Sequence, residues 1–121
     1  MAKNFVRDGD IITYSNTGAA IASGDVVVIG NLLGVALVDI AATTGTGAVA
    51  IEGVYSLPKV SAAVIAQGET VVYKAGSGNI DDNLAALVAG DLSVGCVAAN
   101  AAAATTLFVD VMLNIGTNTV T

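Results

Sequence analysis

Asp81 and Asp82 are the only adjacent carboxylates in this chain, Cys96 is its single thiol, and Gly45, Gly47 and Ala50 fit a G-x-G-x-x-A string. These residue types and spacings could do chemistry. A carboxylate pair can run acid–base catalysis or hold calcium. A thiolate can act as a nucleophile, and a glycine string can cradle a pyrophosphate. None of them finds its partners here. The chain has no histidine, which removes Ser–His–Asp and Cys–His machinery and every imidazole metal ligand. A thiolate zinc site needs several cysteines, and an intrachain disulfide needs two. Cys96, inside "LSVGCVAAN", therefore reads as a buried free thiol. Asp81 and Asp82 read as a helix cap or a solvated turn. The dinucleotide fingerprint requires a strand before the glycines and a helix after them. "TTGTG" instead leads into the β-patterned "AVAIEGVYSL", so a glycine-rich hairpin loop is expected. No G-x-x-x-x-G-K-[ST] is present either, which excludes a P-loop ATPase. The sequence thus offers no catalytic residue, no cofactor site and no metal site.

The elements that would carry any site are short and β-branched. Glycine followed by an acid and then an apolar run appears four times, in "DGDIITY" (8–14), "SGDVVVIG" (23–30), "QGETVVYK" (67–74) and "AGDLSVGC" (89–96). Glycine accepts a positive φ and the acid can close the turn, so each reads as a turn leading into a strand. Further strands are expected at 32–40 and 47–57, the second ended by Pro58, which suits a strand terminus or an edge. "TTLFVDVMLN" sets Leu107, Val109, Val111 and Leu113 on one face against Phe108, Asp110 and Met112 on the other. About seven or eight short strands separated by turns predict an all-β barrel or sandwich. A β-tulip or β-clip-like small barrel comes first, with a jelly roll as the alternative. At most one or two short helices are expected, at 60–68 and at 79–90, while the alanine tract at 98–106 reads as a loop. The expected organisation is an arm and first strand at 1–14, a β-domain at 15–114 and a polar tail at 115–121, loose unless a neighbour pins it.

Composition narrows the partners. Apolar residues make up 55% of the 121 residues and charged residues 12%, against about 25% charged in an average soluble domain. Much of the surface is therefore expected to be covered by copies of the chain or by a partner. The net charge is −6, and Lys3, Arg7, Lys59 and Lys74 are the only cations. No basic patch can be assembled from them, so neither nucleic acid nor an anionic membrane surface is an expected partner. The apolar stretch at 26–42 is interrupted by Gly30, Asn31, Gly34 and Asp39 and is rich in β-branched residues, so no membrane span is expected. The start, "MAKNFVRDGD", lacks the apolar core of a signal peptide. Tyr14, Tyr55 and Tyr73 each end an apolar run. They read as core-edge residues with the hydroxyl reaching water, although a carbohydrate platform would use similar residues.

The succession "MAKNFVRDGDIITY", "IASGDVVVIGNLLGVALVDI", "GAVAIEGVYSLPKV", "AGDLSVGCVAAN" and "LFVDVMLN" resembles the tailed-phage capsid decoration, or cement, proteins, some relatives of which carry a recombinase label. The missing P-loop argues independently against that label. The resemblance implies a non-enzymatic virion protein on the outer surface of the expanded capsid. It further implies that the protein bridges major capsid subunits and resists internal DNA pressure as a homo-oligomer, a trimer before a dimer. An acidic chain belongs outside the shell rather than against the genome. The expected capsid contact is the N-terminal arm, with Phe5 and Val6 as anchors and Lys3 and Arg7 paired with capsid acids; a first strand packed on its own domain is the other reading of that segment. A carbohydrate- or surface-binding module displayed on the particle is the alternative function.

Overall fold

The computed structural model describes residues 9–85 and 87–121. Ten strands and no helix occur among them. The strands are β1 (Ile11–Ser15), β2 (Val26–Ile29), β3 (Leu32–Ala36), β4 (Thr46–Ala50), β5 (Val54–Pro58), β6 (Thr70–Lys74), β7 (Asn79–Asp81), β8 (Leu92–Ala98), β9 (Phe108–Met112) and β10 (Thr119–Val120). They form two antiparallel sheets, ordered β1-β4-β3-β2 and β5-β9-β8-β6-β7, with β10 added to β8. The all-β expectation holds, in the form of a sandwich-like pair of sheets rather than a closed barrel. The larger sheet does curl: its outer strands meet at one parallel bridge, Lys59 to Ile80. That single bridge does not extend into a ladder.

The apolar run at 24–40 resolves into a hairpin and a loop. Ile29 pairs with Leu32 across a turn of Gly30 and Asn31, and Gly30 takes a φ of 58°. Glycine at the first position of a two-residue turn matches the twist of the strands it joins. Beyond the turn, β3 is buried from Leu33 to Ala36. Leu33 and Val35 belong to the main core, whereas Ala36 joins Val27, Ile40 and Val49 in a smaller one. A strand covered on both faces reads as a continuous apolar run, which is why this stretch lacks alternation.

Three sequence expectations are corrected. Residues 47–57 do not form one strand. Gly53, at a φ of 113°, turns the chain out of β4 in the first sheet and into β5 in the second. Residues 60–68 are not helical. Ile65 exchanges both backbone hydrogen bonds with Ala102, and burial alternates through Ala63, Val64 and Ile65, the period of a strand. Residues 79–81 form β7 against β6 instead of entering a helix, with Ile80 in the main core. The alanine tract is a loop, as expected, and Pro58 ends an edge strand. Leu107 lies outside β9 and is exposed, while Val109, Val111 and Leu113 are buried together.

One side chain ties the sheets together. Asn114, just past β9, has a φ of 48°. Its Oδ1 accepts the Leu33 N–H at 3.0 Å, and its Nδ2 donates to the Leu33 and Ile51 carbonyls, each at 2.7 Å. Asn118 Nδ2 donates to the same Oδ1 at 3.0 Å, and Asn118 Oδ1 accepts the Gly95 N–H at 3.0 Å. This pin seats the polar tail. Thr119 and Val120 then pair with Ser93 and Leu92, and Gly90 N–H donates to the Thr121 carbonyl. A Cβ at Gly95 would stand 2.7 Å from the Asn118 backbone nitrogen, so the notch that receives the tail requires glycine there.

Asn114→Ala is expected to destabilise the protein by about 2–4 kcal/mol, because it strands the partly buried backbone groups of Leu33 and Ile51. Asn114→Gly should cost nearly as much, although it relaxes the left-handed backbone. Urea unfolding of both variants measures this, and a glycine variant as stable as the parent would show that the amide links carry no weight.

Candidate functional site

The residues with chemical potential in the sequence are structural in the fold. Cys96 is buried, and burial pushes its thiol above the ordinary range, with hydrogen bonds from the Asn114 N–H at 3.3 Å and Asn118 Nδ2 at 3.8 Å acting against that shift. Asp81 Oδ1 accepts the Asp82 N–H at 2.8 Å, and Asn83 Oδ1 accepts the Ala85 N–H at 3.0 Å. These bonds close a turn. Gly45 precedes β4 and Gly47 lies within it, so the glycine string meets no helix. Tyr14 packs on the smaller core, whereas Tyr55 and Tyr73 pack on the main one, each half-buried. The fold does not gather the three into one platform. Among the described residues, no group of three or more His, Cys, Asp or Glu side chains could hold a metal ion.

The cations of the described residues are withdrawn from the surface. Lys59 is 3% exposed, and its Nζ donates to the Val60 and Thr106 carbonyls, both at 2.9 Å. Lys74 meets Asp91 Oδ2 at 2.9 Å. Asp91 is wholly buried; its Oδ2 also accepts the Val88 N–H and its Oδ1 the Ala75 N–H, each at 3.0 Å. The Val88 N–H, and then Lys74 and the Ala75 N–H, hold the Asp91 carboxyl below the usual range against the opposing effect of burial. Asp10, Asp25, Asp39 and Glu52 are exposed, and Glu69, Asp81, Asp82 and Asp110 partly so. The exposed charge of the described body is therefore acidic.

The outward face of the larger sheet carries little of that charge. Cross-strand register aligns Val54, Met112, Val97 and Thr70 in one row over β5, β9, β8 and β6. Ser56 and Asp110 form the next row, extended by Ala99, whose N–H donates to the Asp110 carbonyl. Pro58 and Phe108 form a third. Because side chains alternate along a strand, these rows share the side of the sheet turned away from the main core. Phe108 is 57% exposed, and Val54 and Met112 are exposed as well. Asp110 is the single charge within the rows, and its Oδ2 accepts from Asn100 Nδ2 at 2.8 Å. Past Met112 the face runs into an open groove of about 320 Å³ bordered by Glu52, Val54 and Ile115. An exposed apolar face on a rigid sheet can bind a macromolecular surface and has no group placed for catalysis.

The arm residues Lys3, Phe5, Val6 and Arg7 lie outside the described residues. The Asp10 carbonyl accepts the Ile51 N–H beside β1, an edge strand of the smaller sheet. The apolar face escaped the sequence reading. Alternation alone places Phe108 and Met112 together, but nothing local shows that Val54 and Val97 flank them.

Asp91 and Asp82 should act oppositely on acid stability. The folded Asp91 carboxyl binds its proton more weakly than the unfolded one, so its contribution is complete above the ordinary carboxylate pKa of about 4 and fades as pH falls further. Burial, then Glu69 and Asp81, raise Asp82, so its charged form opposes folding as pH rises through that range. Asp91→Asn should lower the urea midpoint at pH 7 and flatten its decline below pH of about 4, whereas Asp82→Asn should raise the midpoint at pH 7. Urea titrations from acid to neutral pH read both effects.

A family model described as phage cement protein matches residues 6–113, most of the chain. A search among curated proteins finds no match.

Proposed function

This chain belongs to the phage cement protein family, a structural family of the virion capsid, and from that premise we propose that it binds the outer surface of the expanded capsid and stabilises it by bridging major capsid subunits. The family membership makes it a capsid-stabilising structural protein with the capsid as its partner. The finer reading of where and how it binds rests on charge. Among the described residues both lysines are consumed internally, Lys59 by two carbonyls and Lys74 by Asp91. Lys3 and Arg7 are the other two cations of the chain, with Phe5 and Val6 between them in sequence, and this reading assigns them to acids on a partner. That charge allocation is the observation that carries the reading.

In this mechanism the arm anchors the body to the shell, apolar residues giving the hold and the two cations the register. The acidic body turns outward, away from the genome. Copies act as a homotrimer. Each engages several capsid subunits, so modest individual affinities combine into a large resistance to rupture. The reaction is binding alone, and no catalytic step belongs to it.

Purified protein mixed with expanded, undecorated heads of its own phage should co-sediment and saturate at a fixed ratio near one copy per major capsid subunit. Deleting residues 2–7 should abolish co-sedimentation while the unfolding curve stays close to that of the intact protein. Absence of binding at micromolar protein would overturn the capsid reading, and full binding by the truncated chain would overturn the role of the arm.

A further inference from the structure

We infer that the outer edge of β2 accepts an extended segment of a capsid subunit as one more strand of the smaller sheet. The inference rests on the capsid-binding reading and adds to the arm a second contact. β2 stands at the end of its sheet and pairs with β3. Ile29 and Leu32 flank a two-residue turn. Towards the other end, the Ala36 N–H donates to the Asp25 carbonyl at 2.9 Å. In an antiparallel pair, hydrogen-bonded and non-hydrogen-bonded positions alternate. Val27 and Ile29 therefore direct their N–H and carbonyl to β3, while Val26 and Val28 turn theirs to the outer edge. Among the described residues, no strand or turn meets those four groups.

This edge lacks the devices that discourage pairing, which are charge, proline, a bulge or a covering segment. Val26–Ile29 reads Val-Val-Val-Ile in unbroken register with β3, and Val28 is exposed. By contrast, β5 ends in Pro58, and the chain beyond it meets β7 at the Lys59–Ile80 bridge. β1, at the other end of the smaller sheet, carries Thr13 and Ser15. A cleft of about 260 Å³ opens beside the β2 edge, with Gly24, Asp25 and Val26 on one wall. Pro58, Tyr73 and Gly78 of the larger sheet form the other.

Backbone chemistry identifies the occupant. Two N–H and carbonyl pairs repeating at ~6.8 Å match the main chain of an extended polypeptide. A glycan or a phosphate chain has no such alternation of donors and acceptors. Asp25 is exposed and no cation lines the cleft, so a lysine or arginine in the incoming segment would meet its carboxylate. β2 of a second copy has no cation to bring, and both described lysines are held internally. The cation therefore comes from a capsid subunit, the partner that family membership supplies.

Hydrogen exchange of the full chain, free and bound to expanded heads, tests the assignment by mass spectrometry. The Val26 and Val28 amides should exchange fast in the free protein and about tenfold or more slowly on heads, with Val27 and Ile29 slow in both. Val28→Pro removes only an outward N–H, which an edge strand tolerates. It should unfold like the parent and bind heads about tenfold or more weakly, because a linked contact is lost. Val28→Thr keeps the N–H and the β-branched shape and should bind like the parent. Asp25→Asn keeps an acceptor for the Ala22 N–H and should weaken binding and its dependence on salt. Heads that hold the parent while both amides still exchange fast would overturn the inference and leave the capsid reading standing. Full binding by Val28→Pro would do the same, as would Val28→Thr as weak as Val28→Pro, which gives the contact to the side chain. Amides slow in the free protein at micromolar concentration and fast on dilution would give the edge to a second copy and overturn it. A parent that ignores heads would remove the capsid reading itself, and this inference with it.

Discussion

The Asn114 carboxamide joins two sheets that share little hydrogen bonding otherwise. It accepts the Leu33 N–H and donates a hydrogen bond to the Leu33 carbonyl, as a strand would, and it also donates to the Ile51 carbonyl where the chain crosses between sheets. A carboxamide can do this because it carries a donor and an acceptor side by side, like a peptide unit. Its position past β9 then brings Asn118 into the Gly95 notch and β10 onto β8. β8 consequently has β6 along one edge, with β9 and β10 sharing the other. The outward face depends on that arrangement, since β9 and β8 supply its middle.

The second constraint is charge in an apolar chain. The fold uses both lysines of the described residues internally, one bonding carbonyls of the strand-end and loop segments at 60 and 106, the other neutralising a buried carboxylate. A buried cation is tolerated only with such partners. Among the described residues, the exposed charge that remains is acidic.

Several features were legible before any fold was known. The glycine–acid turns do precede β1, β2, β6 and β8, and Pro58 does close an edge strand. The buried state of Cys96 followed from its small apolar neighbours, and the loop at 98–106 from its place between strands. The helix expected at 60–68 failed because alanine's preference for helix is worth only tenths of a kcal/mol per residue. The backbone bonds from Ile65 to Ala102 outweighed it. The single strand expected at 47–57 failed because alternation continues through Gly53, which nevertheless changes sheets at a φ of 113°.

By itself the sequence determined the class of structure, the absence of histidine-based chemistry and the sign of the surface charge. These follow from residue types and local periodicity, which no later contact can alter. Tertiary structure decided which sheet each half of 47–57 would enter, where Lys59 and Lys74 would spend their charge and which residues would flank Phe108. Register between strands far apart in sequence depends on burying one common core, and local periodicity contains no record of it. The outward face of β5, β9, β8 and β6 is made wholly of such pairings.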